Sequence, residues 1–153
     1  MISLATRNVA WALPLRPPTE YLTRSSRDQL SQLDLFLLAK TGFALEDVQA
    51  MLSVSKLYTS LGIIKRILGP GRRRGSDPKA GLLTVQQGAV AFQFAKVLEH
   101  ATTVFGTLQL AEEWLGRPCR HLSGQIPLDL IDNSIGFQVV EDYLERIELG
   151  VYQ

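Results

Sequence analysis

From Leu30 to Ile147 apolar side chains recur every three or four positions, the period of helices that bury one face, and no stretch shows the two-residue alternation of a strand. Ser25 or Ser26 is a suitable N-cap for a first helix. Its expected buried stripe is Leu30, Leu33, Phe36 and Leu37, and it ends near Thr41-Gly42. A short second helix buries Leu45, Val48, Met51 and Leu52, and Ser53-Val54-Ser55 turns into a third carrying Leu57, Leu61, Ile64, Ile67 and Leu68. Thr84-Val85-Gln86-Gln87 matches a capping box and opens a long helix with Phe92, Ala95, Leu98, Thr102 and Phe105 near one stripe, stopped by Gly106. Thr107 caps the next, which runs through Leu108, Ala111, Trp114 and Leu115 before Gly116 and Pro118 end it. Ser123-Gly124 turns the chain, and Pro127 stands where a first helical residue can spare its N–H. The final helix places Phe137, Val140, Tyr143, Leu144 and Ile147 on its inner face, with Glu141, Asp142, Glu145 and Glu148 expected on its outer one. The pattern predicts an all-α fold of about seven helices without internal repeats.

Segments between the helices divide the chain. Pro14, Pro17 and Pro18 forbid one continuous helix through residues 1–24, which read as an extended arm carrying Trp11 and Leu13. Residues 25–81 form a helix-turn-helix-like region that closes in a glycine- and proline-rich basic loop holding Arg72, Arg73 and Arg74. Residues 82–153 make a C-terminal helical domain. In a helix-turn-helix the second helix presents its first turns to the major groove, here Ser55, Lys56, Tyr58 and Thr59, with Arg66 farther along within reach of phosphates. A short helix and a longer one packed in a core share that outline, and Gly62 inside the second helix costs roughly 1 kcal/mol relative to alanine.

The net charge of +1 conceals an asymmetry: residues 1–80 hold 12 Lys/Arg against 6 Asp/Glu, and residues 81–153 hold 4 against 9. A basic half beside an acidic one suggests two surfaces with different partners, the basic one suited to nucleic acid. The single cysteine, Cys119, excludes an internal disulfide framework and fits a reducing cytoplasm. No apolar run reaches the length of a membrane span, so a cytoplasmic protein is expected. Enzyme chemistry would start from His100, Cys119 and His121, yet neither a nucleophile–base pairing nor three matched metal ligands can be read from their spacing. No catalytic residue, metal site or cofactor is expected.

The C-terminal third carries a more specific signal. Ala111, Trp114, Leu115, Pro118, Leu122, Gly124, Pro127, Leu130, Gly136, Val140, Leu144, Arg146, Ile147, Gly150 and Tyr152 follow one another in an order, preceded by Val104-Phe105-Gly106, that resembles the toxin-binding domain of the Xre/MbcA/ParS antitoxins. The resemblance implies a type II antitoxin. Its partner would be a RES-domain toxin, ADP-ribosyltransferase-like and NAD-using, whose active cleft the antitoxin covers, and operator binding would regulate the shared operon. To this the residues add a physical candidate for the toxin contact: Tyr143, Arg146, Ile147 and Gly150, with the apolar Val151-Tyr152 beyond the helix-stopping glycine. Gly150 is suited to a left-handed conformation that swings the last residues off the helix axis. A homodimer is expected, with the helix over residues 84–105 serving both core and dimer seam. A helix-turn-helix repressor without a toxin partner, and a helical adaptor, are the alternative readings.

Overall fold

The computed structural model of the protein describes residues 16–26, 29–69 and 81–150. The described residues form eight α-helices, two short 3-10 turns and no strand. The helices are α1 (Pro18–Thr23), α2 (Gln32–Thr41), α3 (Leu45–Ser53), α4 (Lys56–Ser60), α5 (Ile63–Leu68), α6 (Val85–Phe105), α7 (Leu108–Leu115) and α8 (Ser134–Glu148), with the 3-10 turns at Arg120–Leu122 and Pro127–Leu130. The all-α expectation holds.

α6 is the axis. The Thr84–Gln87 capping box is formed as the sequence predicts, and Gln87 also donates to the Leu68 carbonyl at 2.9 Å, tying the start of α6 to the end of α5. Small and large apolar residues alternate around the helix, and Ala91, Phe94, Ala95, Val97, Leu98 and Ala101 are all buried because α1, α2, α5, α7 and α8 pack around it. One apolar cluster runs unbroken from Leu22 through Tyr58 and Phe94 to Leu144. The dimer seam expected on this helix is therefore occupied by the protein's own helices.

Three further expectations change in the N-terminal half. Pro18–Thr23 are helical rather than extended, because Pro18 at the first helical position needs no N–H partner, and Thr19 donates through N and Oγ1 to Glu99 of α6 at 3.1 and 2.7 Å. The first long helix is capped by Ser31, in a reciprocal pair with Asp34, and not by Ser25 or Ser26. Leu33, Phe36 and Leu37, expected to be buried, face solvent, while Leu38 and Ala39 pack on the core. Six of the ten positions in QLDLFLLAKT are apolar, so periodicity does not single out a face.

The third predicted helix is two. Gly62 adopts φ +64°, ends α4 after five residues and starts α5 in a new direction. Tyr58 points into the core: its ring meets Phe94 edge-on at 5.6 Å and its hydroxyl donates to the Phe94 carbonyl at 2.9 Å. Burial pushes its phenol well above the usual range, so it remains a neutral donor. Ser55 is also buried, its hydroxyl donating to Glu112 of α7 at 2.6 Å, and the same carboxylate accepts the Leu57 N–H at 3.2 Å. A glutamate from the C-terminal half thus caps α4.

If Tyr58 is a core residue, Tyr58→Phe should cost about 1 kcal/mol by removing one buried hydrogen bond, and Tyr58→Ala about 3–5 kcal/mol by emptying the ring's volume. Urea denaturation measures both. A side chain held at the surface to touch DNA would leave the midpoint unchanged.

Candidate functional site

α8 and the segment leading into it form the most elaborated surface of the described chain. Pro127 begins a 3-10 turn, and Asn133 caps α8 by accepting from Ile135 N and Gly136 N, each at 2.9 Å. A side chain at Gly136 would collide with the Leu130 carbonyl, so only glycine lets the helix start so close to the turn. Val140 and Leu144 are buried against the core, with Phe137 half-buried beside them.

The two flanks of α8 differ. On one, Tyr143 lies in a ladder of rings: Phe105 to Trp114 at 5.4 Å, Trp114 to Tyr143 at 5.7 Å with planes 7° apart, and Tyr143 to His121 at 5.7 Å. On the other, His100 of α6 sits between two glutamates of α8, Nδ1 3.2 Å from Glu141 Oε1 and Nε2 3.0 Å from Glu148 Oε1, while Lys96 Nζ is 3.7 Å from Glu141. The predicted acidic outer face therefore needs correction. Glu141 is one helical turn from both Phe137 and Leu144 and is only 8% exposed, and Glu148 reaches back to His100, which leaves Asp142 and Glu145 outward.

Burial alone would lower the His100 pKa, but hydrogen bonds and charge from Glu141 and Glu148 outweigh it and the net shift is upward. The two ring nitrogens are spent on separate carboxylates. Among the described residues no group of three or more His, Cys, Asp or Glu converges to hold a metal ion. Cys119 is buried, with its backbone bonded to Gln125 and Gly124, while His121 stacks outward on Tyr143. No described helix is long and apolar enough to cross a membrane.

The residues singled out for toxin contact are brought together only in part. Tyr143 and Ile147 are half-buried, Arg146 is exposed, and Gly150 has φ +81°, the left-handed geometry expected of it. Val151 and Tyr152 lie outside the described residues. Those singled out for DNA separate. Ser55 and Tyr58 are interior. Arg66 donates to the Leu128 carbonyl at 2.8 Å and to Asp132 at 3.2 Å, with its guanidinium 5.1 Å from the Phe94 ring centroid. Thr59 turns its hydroxyl to its own backbone, donating to the Leu52 and Ser55 carbonyls, and Lys56 is exposed. Arg72, Arg73 and Arg74 lie outside the described residues. The sequence reading passed over Ile135 and Val139, exposed on α8, and Leu149 just past its end, as well as Glu112, and it misplaced Glu141; the roles of both glutamates depend on residues some 40 to 60 positions distant.

Comparison with known proteins meets this geometry at the same place. The arrangement is all-helical, with a last helix that is held on both flanks and presented to solvent. Residues 100–150 match the family described as the antitoxin Xre/MbcA/ParS C-terminal toxin-binding domain. No curated protein matches the chain.

The His100 clamp has a definite pH signature. A histidine whose folded pKa is raised adds stability that is complete below its unfolded value of 6.5 and is lost as pH rises through the folded one. The melting temperature of the unmutated protein should therefore exceed that of His100→Gln most at about pH 6, with the gap shrinking by about pH 8. A gap that is constant across this range would show that His100 does not charge within the clamp.

Proposed function

We propose that the protein is the antitoxin of a type II toxin–antitoxin pair that binds a RES-domain toxin, ADP-ribosyltransferase-like and NAD-using, and covers its active cleft. The observation that carries this reading is the match of residues 100–150, which include α7, α8 and the aromatic ladder between them, to a toxin-binding domain. The basic residues 25–81 and the acidic residues 82–153 are its two functional regions. Neutralisation is binding rather than catalysis, and its contacts are Tyr143, Arg146, Ile147 and Gly150, with Val151 and Tyr152 next in the sequence. Contact with operator DNA, the second element of the proposal, falls to Lys56 and the basic stretch Arg72–Arg74, since Ser55, Tyr58 and Arg66 are engaged within the fold. A homodimer would pair through the uncovered face of α2, where Leu33, Phe36 and Leu37 face solvent.

Co-expression with a RES-domain protein encoded beside it tests the central claim. Growth inhibition by that protein should be relieved and the two chains should co-purify; persistent toxicity with no complex would overturn the reading. Deleting residues 151–153 should then cost about 2 kcal/mol or more in toxin affinity, the scale of an aromatic anchor, with the melting temperature unchanged. Unchanged affinity with a lowered melting temperature would instead assign Tyr152 to the antitoxin's own core.

A further inference from the structure

The outward side of α8 carries a feature that the sequence pattern did not single out. Ile135, Val139, Asp142, Arg146 and Leu149 follow at spacings of four, three, four and three, so they lie along one line of the helix and its C-terminal turn. Val140 and Leu144, the buried anchors, lie on the opposite side. Ile135 is 75% exposed, Val139 43% and Leu149 72%. Isolated exposed aliphatic groups are ordinary on a protein surface, but three aligned on one helix that already has a complete inner face form a ridge, here with Asp142 and Arg146 set between Val139 and Leu149. At 1.5 Å per residue it is about 20 Å long.

We infer that this ridge is the surface that seats in the toxin, and that the toxin offers an apolar furrow with a basic rim beside it. The inference rests on the toxin-binding reading and specifies its contact. Three features support that occupant. First, the ridge lies inside the matched toxin-binding segment, and of the four large aliphatic residues exposed there among the described residues, Leu110, Ile135, Val139 and Leu149, three belong to it. Second, α8 is held before any partner arrives, by the Asn133 cap, the Trp114–Tyr143–His121 stack and the His100 bridge to Glu141 and Glu148. A helix fixed in place loses little conformational freedom on binding. Third, the exposed charges on and beside the ridge are Asp142, Glu145 and Arg146, a net negative set that calls for positive charge at the matching edge of the furrow.

The test replaces Ile135, Val139 and Leu149 together by serine, which removes apolar surface without adding charge. The purified variant is compared with the unmutated chain for affinity to the toxin recovered by co-expression, for thermal stability, and for mass in solution. The expected result is an affinity loss of at least about 30-fold at unchanged melting temperature and unchanged mass. Ile135→Ser alone, at the most exposed position, should lose about 3-fold or more and keeps the test decisive if the triple variant melts early. Unchanged affinity in both variants overturns the ridge while leaving the antitoxin reading intact. A drop in mass from two chains to one, with affinity retained, would give the ridge to a second copy and overturn the inference. If the unmutated chain binds no toxin, the functional reading falls and the ridge with it.

Discussion

Everything described in this molecule depends on α6 being buried from several directions at once. A helix that serves as a common floor needs neighbours close to its axis, and Gly88, Ala91, Ala95 and Ala101 keep its surface low where they approach. At Gly88 the ring of Phe43 lies so near that a Cβ would stand 3.1 Å from it. Phe94, Val97 and Leu98 fill the gaps between. Dense packing of this kind transmits position: an element cannot shift on α6 without opening a void, and voids in a well-packed core are costly.

Polar ties reinforce the shared core between residues far apart in sequence. Glu112 of α7 accepts from Ser55 and from the first turn of α4, Arg66 of α5 holds the Leu128 carbonyl and Asp132, and Gln93 of α6 donates to the Ile131 carbonyl at 2.7 Å. Apart from the exposed Arg66–Asp132 pair, each uses a partly buried group whose partner would otherwise be left unsatisfied, so removing one side costs more than the bond itself contributes. The N-terminal helices and the matched segment, residues 100–150, are in this way mechanically joined. The segment expected to be the second helix of a helix-turn-helix is divided into α4 and α5 and both are recruited to this joint, which accounts for Ser55, Tyr58 and Arg66 turning inward.

α8 shows how a surface helix is made rigid without a large core of its own. Stacked rings grip one flank and a histidine between two carboxylates grips the other. The second grip has a cost: Glu141 is nearly buried and its Oε2 has no hydrogen-bond partner, a desolvated acceptor that Lys96 and a charged His100 offset electrostatically. With its inner face and flanks engaged, the helix leaves only its outer side, with Ile135 and Val139, exposed.

The sequence by itself determined where α6 begins and ends, where α7 starts, the left-handed turn after α8, and which family pattern the last third follows. Thr84–Gln87, Thr107, Gly106 and Gly150 act through bonds and dihedral angles within a few residues of themselves, and the structure forms each as their chemistry requires. The core face of α3 was legible for the same reason, since Val48, Met51 and Leu52 are its only strong apolar stripe. Tertiary structure alone decided which side of α2 faces inward, whether Ser55 and Tyr58 meet solvent or core, how Glu141 is paired, and that Ile135, Val139 and Leu149 remain uncovered. Each of those outcomes depends on which distant element arrives to cover a face, and local periodicity holds no record of a neighbour 40 or more residues away.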